Sequence, residues 1–194
     1  MKKNTLGMIH EFLREEVKPG AFCIDATAGR GRDTVLLCEL CGPEGQVLSF
    51  DIQEAAVGQT RALLQEKGLS ACVIQDSHAN MERYAAPESA DCIVFNLGRL
   101  PGGDPTIVTR ADSTLAAIKA GLRLLKPGGI MTIGLYYGKE NGYDEKEAVL
   151  RFLKTVDDRC FSVLVCDFCN RRHDPPMPIF IWKESCTETR SYER

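Results

Sequence analysis

Apolar residues recur along the first part of the chain at three- and four-residue steps. Leu6, Ile9, Leu13 and Val17 fall on one side of a helix over 4–17, which Pro19-Gly20 stops. The period then changes. AFCIDA (21–26), QVLSFD (46–51), ACVIQD (71–76), DCIVFNL (91–97) and GIMTIGLYY (129–137) are short runs rich in β-branched and aromatic residues, which predicts strands. The segments between them, Asp33 to Leu40, Glu54 to Lys67, Ala111 to Leu125 and Asp144 to Thr155, read as helices able to cross over between parallel strands. Cys92-Ile93-Val94-Phe95 is apolar on both faces, as in a parallel sheet covered by helices on both sides. The last two strand candidates, Phe161 to Phe168 and Pro178 to Lys183, are joined by a proline-rich loop without a helix and must pair antiparallel. The expected fold is α/β: a doubly wound, Rossmann-like, seven-stranded and mostly parallel sheet with an antiparallel last strand. It forms a single domain over 1–194, with a flexible polar tail after residue 184.

Composition narrows the setting. With 194 residues, 44% hydrophobic and 26% charged, one core suffices for the chain. No apolar run approaches the roughly 18 residues that span a bilayer. Met1-Lys2-Lys3 leads into a mixed polar stretch rather than the apolar core of a signal peptide, so a cytoplasmic location with no membrane partner is expected. A net charge of −3 excludes the global basic field of a nonspecific nucleic-acid binder. Any nucleic-acid contact is then local, and arginines do gather at Arg30, Arg32, Arg99 and Arg171-Arg172. The nine cysteines fit reduced thiols packed as small hydrophobes. The pairs Cys38/Cys41 and Cys166/Cys169 have CxxC spacing, but one closes a helix and the other follows a strand alternation that points its members apart, so no metal site is expected.

In open α/β sheets ligands bind beyond the carboxyl ends of the strands. The first strand runs into Asp25-Ala-Thr27-Ala-Gly29-Arg30-Gly31-Arg32-Asp33, where glycines allow a tight turn and close ligand approach and a helix N-terminus offers free amides; a plain structural turn is the alternative. The second ends at Asp51, placed to bind ribose hydroxyls or to cap the next helix. A nicotinamide dinucleotide site would need a third glycine where Thr34 stands. The third strand ends in Asp76-Ser77-His78, polar groups able to bracket an adenine edge, and the fourth in Asn96-Leu97-Gly98-Arg99-Leu100-Pro101-Gly102-Gly103-Asp104. Lys126-Pro127-Gly128-Gly129 reads as a structural turn before the fifth strand.

Taken together, DxxxGxG after strand one, acids after strands two and three, a polar loop after strand four, LKPGG before strand five and the terminal hairpin resemble class I S-adenosylmethionine-dependent methyltransferases. More narrowly, DATAGRGRDT, SFDIQ, QDSHANM, NLGRLPGGD and NRRHDPP resemble a bacterial rRNA-methylase family whose members include a methyltransferase of the aminomethyl group on wobble 2-thiouridine in tRNA. The resemblance implies S-adenosylmethionine as cofactor, held by Gly29 to Asp33, by Asp51 and Gln53, and by Ser77 and His78. It also suggests a homodimer. Arg30 and Arg32 depart from the family pattern, though a cation there suits the methionine carboxylate. Tyr136-Tyr137-Gly138-Lys139 replaces the family's YHGH, and Asn170-Arg171-Arg172-His173-Asp174-Pro175-Pro176 its NxxNDPP.

Methyl transfer to an amine needs a neutral nucleophile, an in-line approach and an outlet for a proton. Asn96 is placed to accept a hydrogen bond from such an amine, by analogy with the Asn-Pro-Pro-aromatic loop of amino-group methyltransferases. Asp104 and His173 are candidate proton acceptors, with Asp174 nearby; turn capping and loop shaping are their alternatives. Leu97, Gly98, Arg99, Tyr136, Lys139, Arg171 and Arg172 are candidate substrate contacts, the cations gripping phosphates of an anticodon stem-loop or simply facing water.

Overall fold

In the computed structural model, which describes residues 3–98, 108–138 and 142–185, the strands lie in the order β3-β2-β1-β4-β5-β7-β6 within one seven-stranded sheet. They are β1 (Phe22–Asp25), β2 (Gln46–Asp51), β3 (Cys72–Gln75), β4 (Ala90–Leu97), β5 (Leu125–Leu135), β6 (Phe161–Val165) and β7 (Met177–Lys183). The helices are α1 (Thr5–Glu16), α2 (Arg32–Cys41), α3 (Glu54–Lys67), α4 (Ala111–Leu124) and α5 (Gly142–Leu153). β1 to β5 pair parallel, while β7 runs antiparallel between β5 and β6. The doubly wound architecture with its antiparallel end is therefore as the sequence predicts.

The alternation of apolar side chains builds a core on each face of the sheet. Ile24, Phe50, Ile93 and Phe95 point one way and join residues of α4 and α5; Cys23, Val47, Cys92 and Val94 point the other and join α1, α2 and α3. α1 starts at Asn4, whose side chain accepts a hydrogen bond from the Gly7 amide at 2.7 Å. It buries Ile9 and Leu13 completely, each contributing about 1.5–3 kcal/mol. Phe12 packs its ring 4.7 Å from that of Phe180 on β7, so α1 is anchored to the antiparallel half of the sheet.

Two elements differ from expectation. Lys126 to Gly129 do not form a turn ahead of the fifth strand; β5 already begins at Leu125, opposite Ala90, and the pairing slips so that Cys92 faces Ile130. The turn residues bulge out of a strand that is paired on either side of them, with Gly128 at φ 78°. Between β3 and β4 the chain also forms a 3₁₀ turn, His78–Arg83, where the hydrophobic pattern marks no helix. Its Met81 is fully buried under the sheet.

β1 and β4 are neighbours, yet their following helices pack on opposite faces. The loops that leave these two strands must part, and the gap between them is the natural ligand crevice of the fold. Among the described residues no helix is long and apolar enough to cross a membrane.

Candidate active site

The loop after β1 is held from three sides. Ala26 N–H donates to the Val94 carbonyl at 2.9 Å, Ala28 N–H to the Phe50 carbonyl at 2.8 Å, and Gly29 N–H to Asp51 Oδ2 at 2.9 Å. Gly31, at φ 77°, is the N-cap of α2 and lacks a side chain to bond the first amides of that helix. A Cβ on Gly31 would stand 2.9 Å from the Thr60 backbone, so this glycine also lets α2 approach α3. Asp51 accepts from Gly29 N–H with one oxygen and from Gln53 N–H with the other, at 2.9 Å each. A carboxylate has about four acceptor positions, so a diol can still bind to it. Thr27 is half-buried, while Arg30 and Arg32 are exposed on the loop.

Beyond β3, Asp76 accepts from Ser77 N–H and Asn80 Nδ2, both at 2.7 Å, and from the Tyr84 hydroxyl at 2.8 Å. The bonds from Asn80 and Tyr84 hold its carboxyl below the ordinary range. Ser77 caps the 3₁₀ turn by accepting from Ala79 N–H. His78 lies 3.3 Å through Nδ1 from the Ala26 carbonyl, which assigns the proton to Nδ1; burial lowers the pKa of the ring, so it is neutral at pH 7 with Nε2 as acceptor. The acceptor oxygens of Asp51, the Ser77–His78 pair and the first amides of α2, which no side chain caps, have the chemistry to hold an adenosyl group and a carboxylate.

Asn96, the penultimate residue of β4, is the centre of the remaining geometry. Its N–H donates to Thr27 Oγ1 at 2.7 Å, and its Nδ2 donates to Asp33 Oδ2. Its Oδ1 is buried and meets no donor among the described residues. Opposite it in β5 stands Gly134; a Cβ there would come within 2.9 Å of Asn96 Oδ1, 3.2 Å of the Tyr136 ring and 3.4 Å of Ile9 Cδ1. The missing side chain thus lets the orphan oxygen, an aromatic edge and α1 pack together against Gly134. Tyr136 has its phenol pushed up by burial and by the negative charge of Asp33. Its ring also lines a cavity of about 260 Å³ with Asn4, Thr5, Leu6, Arg171 and Pro176.

Asp33 accepts a second hydrogen bond from His10 Nε2 at 2.6 Å. His10 is absent from the candidates named from sequence, because nothing in a helical pattern shows which loop a polar residue will meet. One other candidate, Asp25, is placed differently from expectation. Asp25 is wholly buried, accepting from the Thr27 amide at 3.1 Å and the Thr34 hydroxyl at 2.6 Å, so it braces the loop from inside instead of facing the crevice. Burial, then the charge of Asp33, pushes its carboxyl up to about 7. The Leu97 side chain is fully buried in the core, and its backbone carbonyl, the group the sequence offers to a substrate, accepts from the Tyr136 N–H at 3.0 Å.

Gly98, at φ 137°, exchanges two hydrogen bonds of 2.8 Å with Thr109. Thr109 and Thr114 donate in turn to the buried Glu145 of α5, at 2.8 and 2.6 Å. Gly98, Thr109 and Thr114 are therefore linked to α5 by residues that sequence patterns do not single out. Arg171 donates to the Lys3 carbonyl and stacks its guanidinium 3.5 Å above the Phe168 ring, linking the β6–β7 loop to the start of α1. Arg172 is exposed. His173 and Asp174 are exposed with φ of 66° and 51°, and His173 supplies none of the hydrogen bonds around Asn96. The Tyr143 hydroxyl donates to Asp174 at 2.5 Å. Arg99, Asp104 and Lys139 lie outside the described residues.

Strand order, crevice and the chemistry at the strand ends define the class as a Rossmann-like S-adenosylmethionine-dependent methyltransferase. Comparison with known proteins narrows this. The family model described as "Putative rRNA methylase" matches residues 47–182, and the chain belongs to that family. A structure described as a "putative rRNA-methylase" from Clostridium thermocellum is 41% identical, with a TM-score of 0.92 over 94% of this chain and 99% of that one. One described as a "putative methyltransferase" from Streptococcus mutans, in complex with SAH, is 35% identical with a TM-score of 0.85 over 94% of this chain and 99% of that one. The chloroplastic tRNA (mnm(5)s(2)U34)-methyltransferase of Arabidopsis thaliana is 36% identical over 165 residues, 78% of this chain and 59% of the plant protein. The chain thus spans about three-fifths of that relative's length.

Proposed function

We propose that the protein transfers a methyl group to the primary amine of 5-aminomethyl-2-thiouridine at the wobble position of tRNA, giving 5-methylaminomethyl-2-thiouridine. The observation that carries this reading is Asn96 Oδ1, a buried oxygen that can only accept and that has no donor among the described residues. A neutral amine satisfies it by donating one N–H, which leaves the nitrogen lone pair free for attack. The likeness to the Arabidopsis protein over 78% of this chain supports tRNA as the bearer of that amine.

S-adenosylmethionine, when bound, supplies a methyl on a sulfonium that leaves as a neutral thioether. The chain's own residues hold and aim the reactants. Gly29 to Asp33 present amides to the methionine carboxylate, with Arg30 and Arg32 beside them; Asp51 and Gln53 hold the ribose; Asp76, Ser77 and His78 border the adenine. Asn96 orients the amine, Gly98 shapes the path to it, and Tyr136 offers a ring edge to the base. Arg99, Lys139, Arg171 and Arg172 meet tRNA phosphates. The nitrogen becomes a secondary ammonium as the new N–C bond forms, and then gives up one proton, for which Asp104 and His173 are the proposed acceptors.

The family description favours rRNA as the alternative acceptor. Mass spectrometry of tRNA nucleosides from cells lacking the protein separates the two. Accumulated 5-aminomethyl-2-thiouridine supports the proposal; an unchanged nucleoside profile in a cell with no second such enzyme overturns it.

A further inference from the structure

We infer that His10 is a positioning residue for methyl transfer: through Asp33 it keeps the Asn96 carboxamide turned with Oδ1 toward the acceptor amine. The inference rests on the amine-transfer reading, and it concerns a residue of α1, which lies outside the part of the chain matched by the family model.

The argument follows from which atoms can donate. An ionised carboxylate only accepts, so the carboxamide end facing Asp33 must be Nδ2, and Oδ1 must face the other way. If Asp33 were neutral, its own hydroxyl could donate to the carboxamide oxygen and Asn96 could turn over. The amine would then meet an N–H that competes for its lone pair, and attack would slow. The orientation of Asn96 therefore depends on where one negative charge resides. Asp33 shares its neighbourhood with Asp25, and its charge disfavours ionisation of Asp25. Asp25 is sealed in the core, its oxygens met by a backbone amide and a threonine hydroxyl. Asp33 has the imidazole of His10, a stronger donor to an anion, at 2.6 Å. With donors from His10 and Asn96 on its two oxygens, Asp33 is held as an acceptor toward both. The contact is well supported, because the preceding residue Ile9 is fully buried and extends toward the same space over Gly134. His10 itself keeps 21% of its side chain exposed and touches the reaction only through Asp33, whose side chain is 9% exposed.

The test uses full-length His10→Ala and His10→Gln, the glutamine being able to place an N–H where Nε2 stood. Two readouts are taken: kcat and KM on tRNA carrying 5-aminomethyl-2-thiouridine, and the side-chain NH₂ signals of Asn96 in a ¹H–¹⁵N spectrum of the SAH complex, assigned by their loss in Asn96→Ala. His10→Ala should lower kcat about 10- to 100-fold with KM and SAH affinity changed by less than about threefold, as expected for lost alignment without lost binding. It should also shift the Asn96 signals, and His10→Gln should restore both. Any result in which the Asn96 signals stay in place, or kcat of His10→Ala stays within about twofold of wild type, or glutamine rescues no better than alanine, overturns the role of His10. Inactivity of the wild-type protein on this tRNA would instead overturn the substrate reading, and the Asn96 signals alone would then decide for or against His10.

Discussion

Two aspartates at the ends of the sheet act as hydrogen-bond hubs, and they could hardly be more different. Asp76 gathers Ser77, Asn80 and Tyr84, all within eight positions of itself; Tyr84 is exposed and the other two are half-buried. Asp33 gathers His10 and Asn96, 23 and 63 positions away, under a nearly closed surface. The first hub shapes the local 3₁₀ turn that follows β3. The second joins α1, α2 and β4 into one unit, and it is the one with an orphaned acceptor attached. Long sequence separation, burial and an unmet polar atom together single out Asn96 for the proposed role; a dense but local network does not.

The contrast is broken most sharply at Asn96. Asn96→Ala removes the orphan oxygen while leaving Asp51 and the β1 loop intact, so kcat should fall about 10²- to 10³-fold, the range for a single well-placed polar group at a reacting centre. SAH affinity, read by calorimetry, should change far less. Next in size is Asp33→Ala, which leaves the His10 and Asn96 donors without an acceptor in a buried place and should lower the unfolding free energy by about 2–4 kcal/mol in urea denaturation.

Asp25 sharpens the comparison through pH. Its folded value of about 7 lies above the ordinary 3.8, so between these values the unfolded chain has lost a proton that the folded one retains. Stability from this group is full below the lower value and is lost as pH rises toward 7, at no more than about 1.4 kcal/mol per unit. Asp25→Asn keeps acceptor and donor groups for Thr27 and Thr34 and should flatten the slope of unfolding free energy between pH 5 and about pH 7. The smallest effect belongs to Asp76→Ala: its melting temperature, followed by circular dichroism, should drop much less than that of Asp33→Ala, because water replaces the lost acceptor for Asn80 and Tyr84.

The same distinction explains what could be read from the chain. Strands such as Gln46–Asp51 and the helix Glu54–Lys67 occur where apolar periodicity sets them, since burial of one face is a local pattern with a global consequence. Strand ends then followed, and with them Asp51, Ser77, His78 and Asn96 as candidates. The bulge at Lys126 to Gly129 looks like a turn in the sequence because proline and glycine report a bend but not whether the strand resumes pairing on both sides of it. His10 and Glu145 were invisible for another reason: a single polar residue on a helix carries no sign of the distant loop it will bond, and only the packing of α1 and α5 brings them to Asp33 and to Thr109 and Thr114. Asp25 had the right motif but the wrong orientation, its carboxylate turned inward by Thr34.

The central claim is tested most directly by incubating the purified protein with methyl-labelled S-adenosylmethionine and tRNA carrying 5-aminomethyl-2-thiouridine, then digesting the tRNA and resolving its nucleosides. Label in 5-methylaminomethyl-2-thiouridine, abolished or nearly so by Asn96→Ala, is the predicted result. Binding of SAH without any label entering that nucleoside would contradict the account.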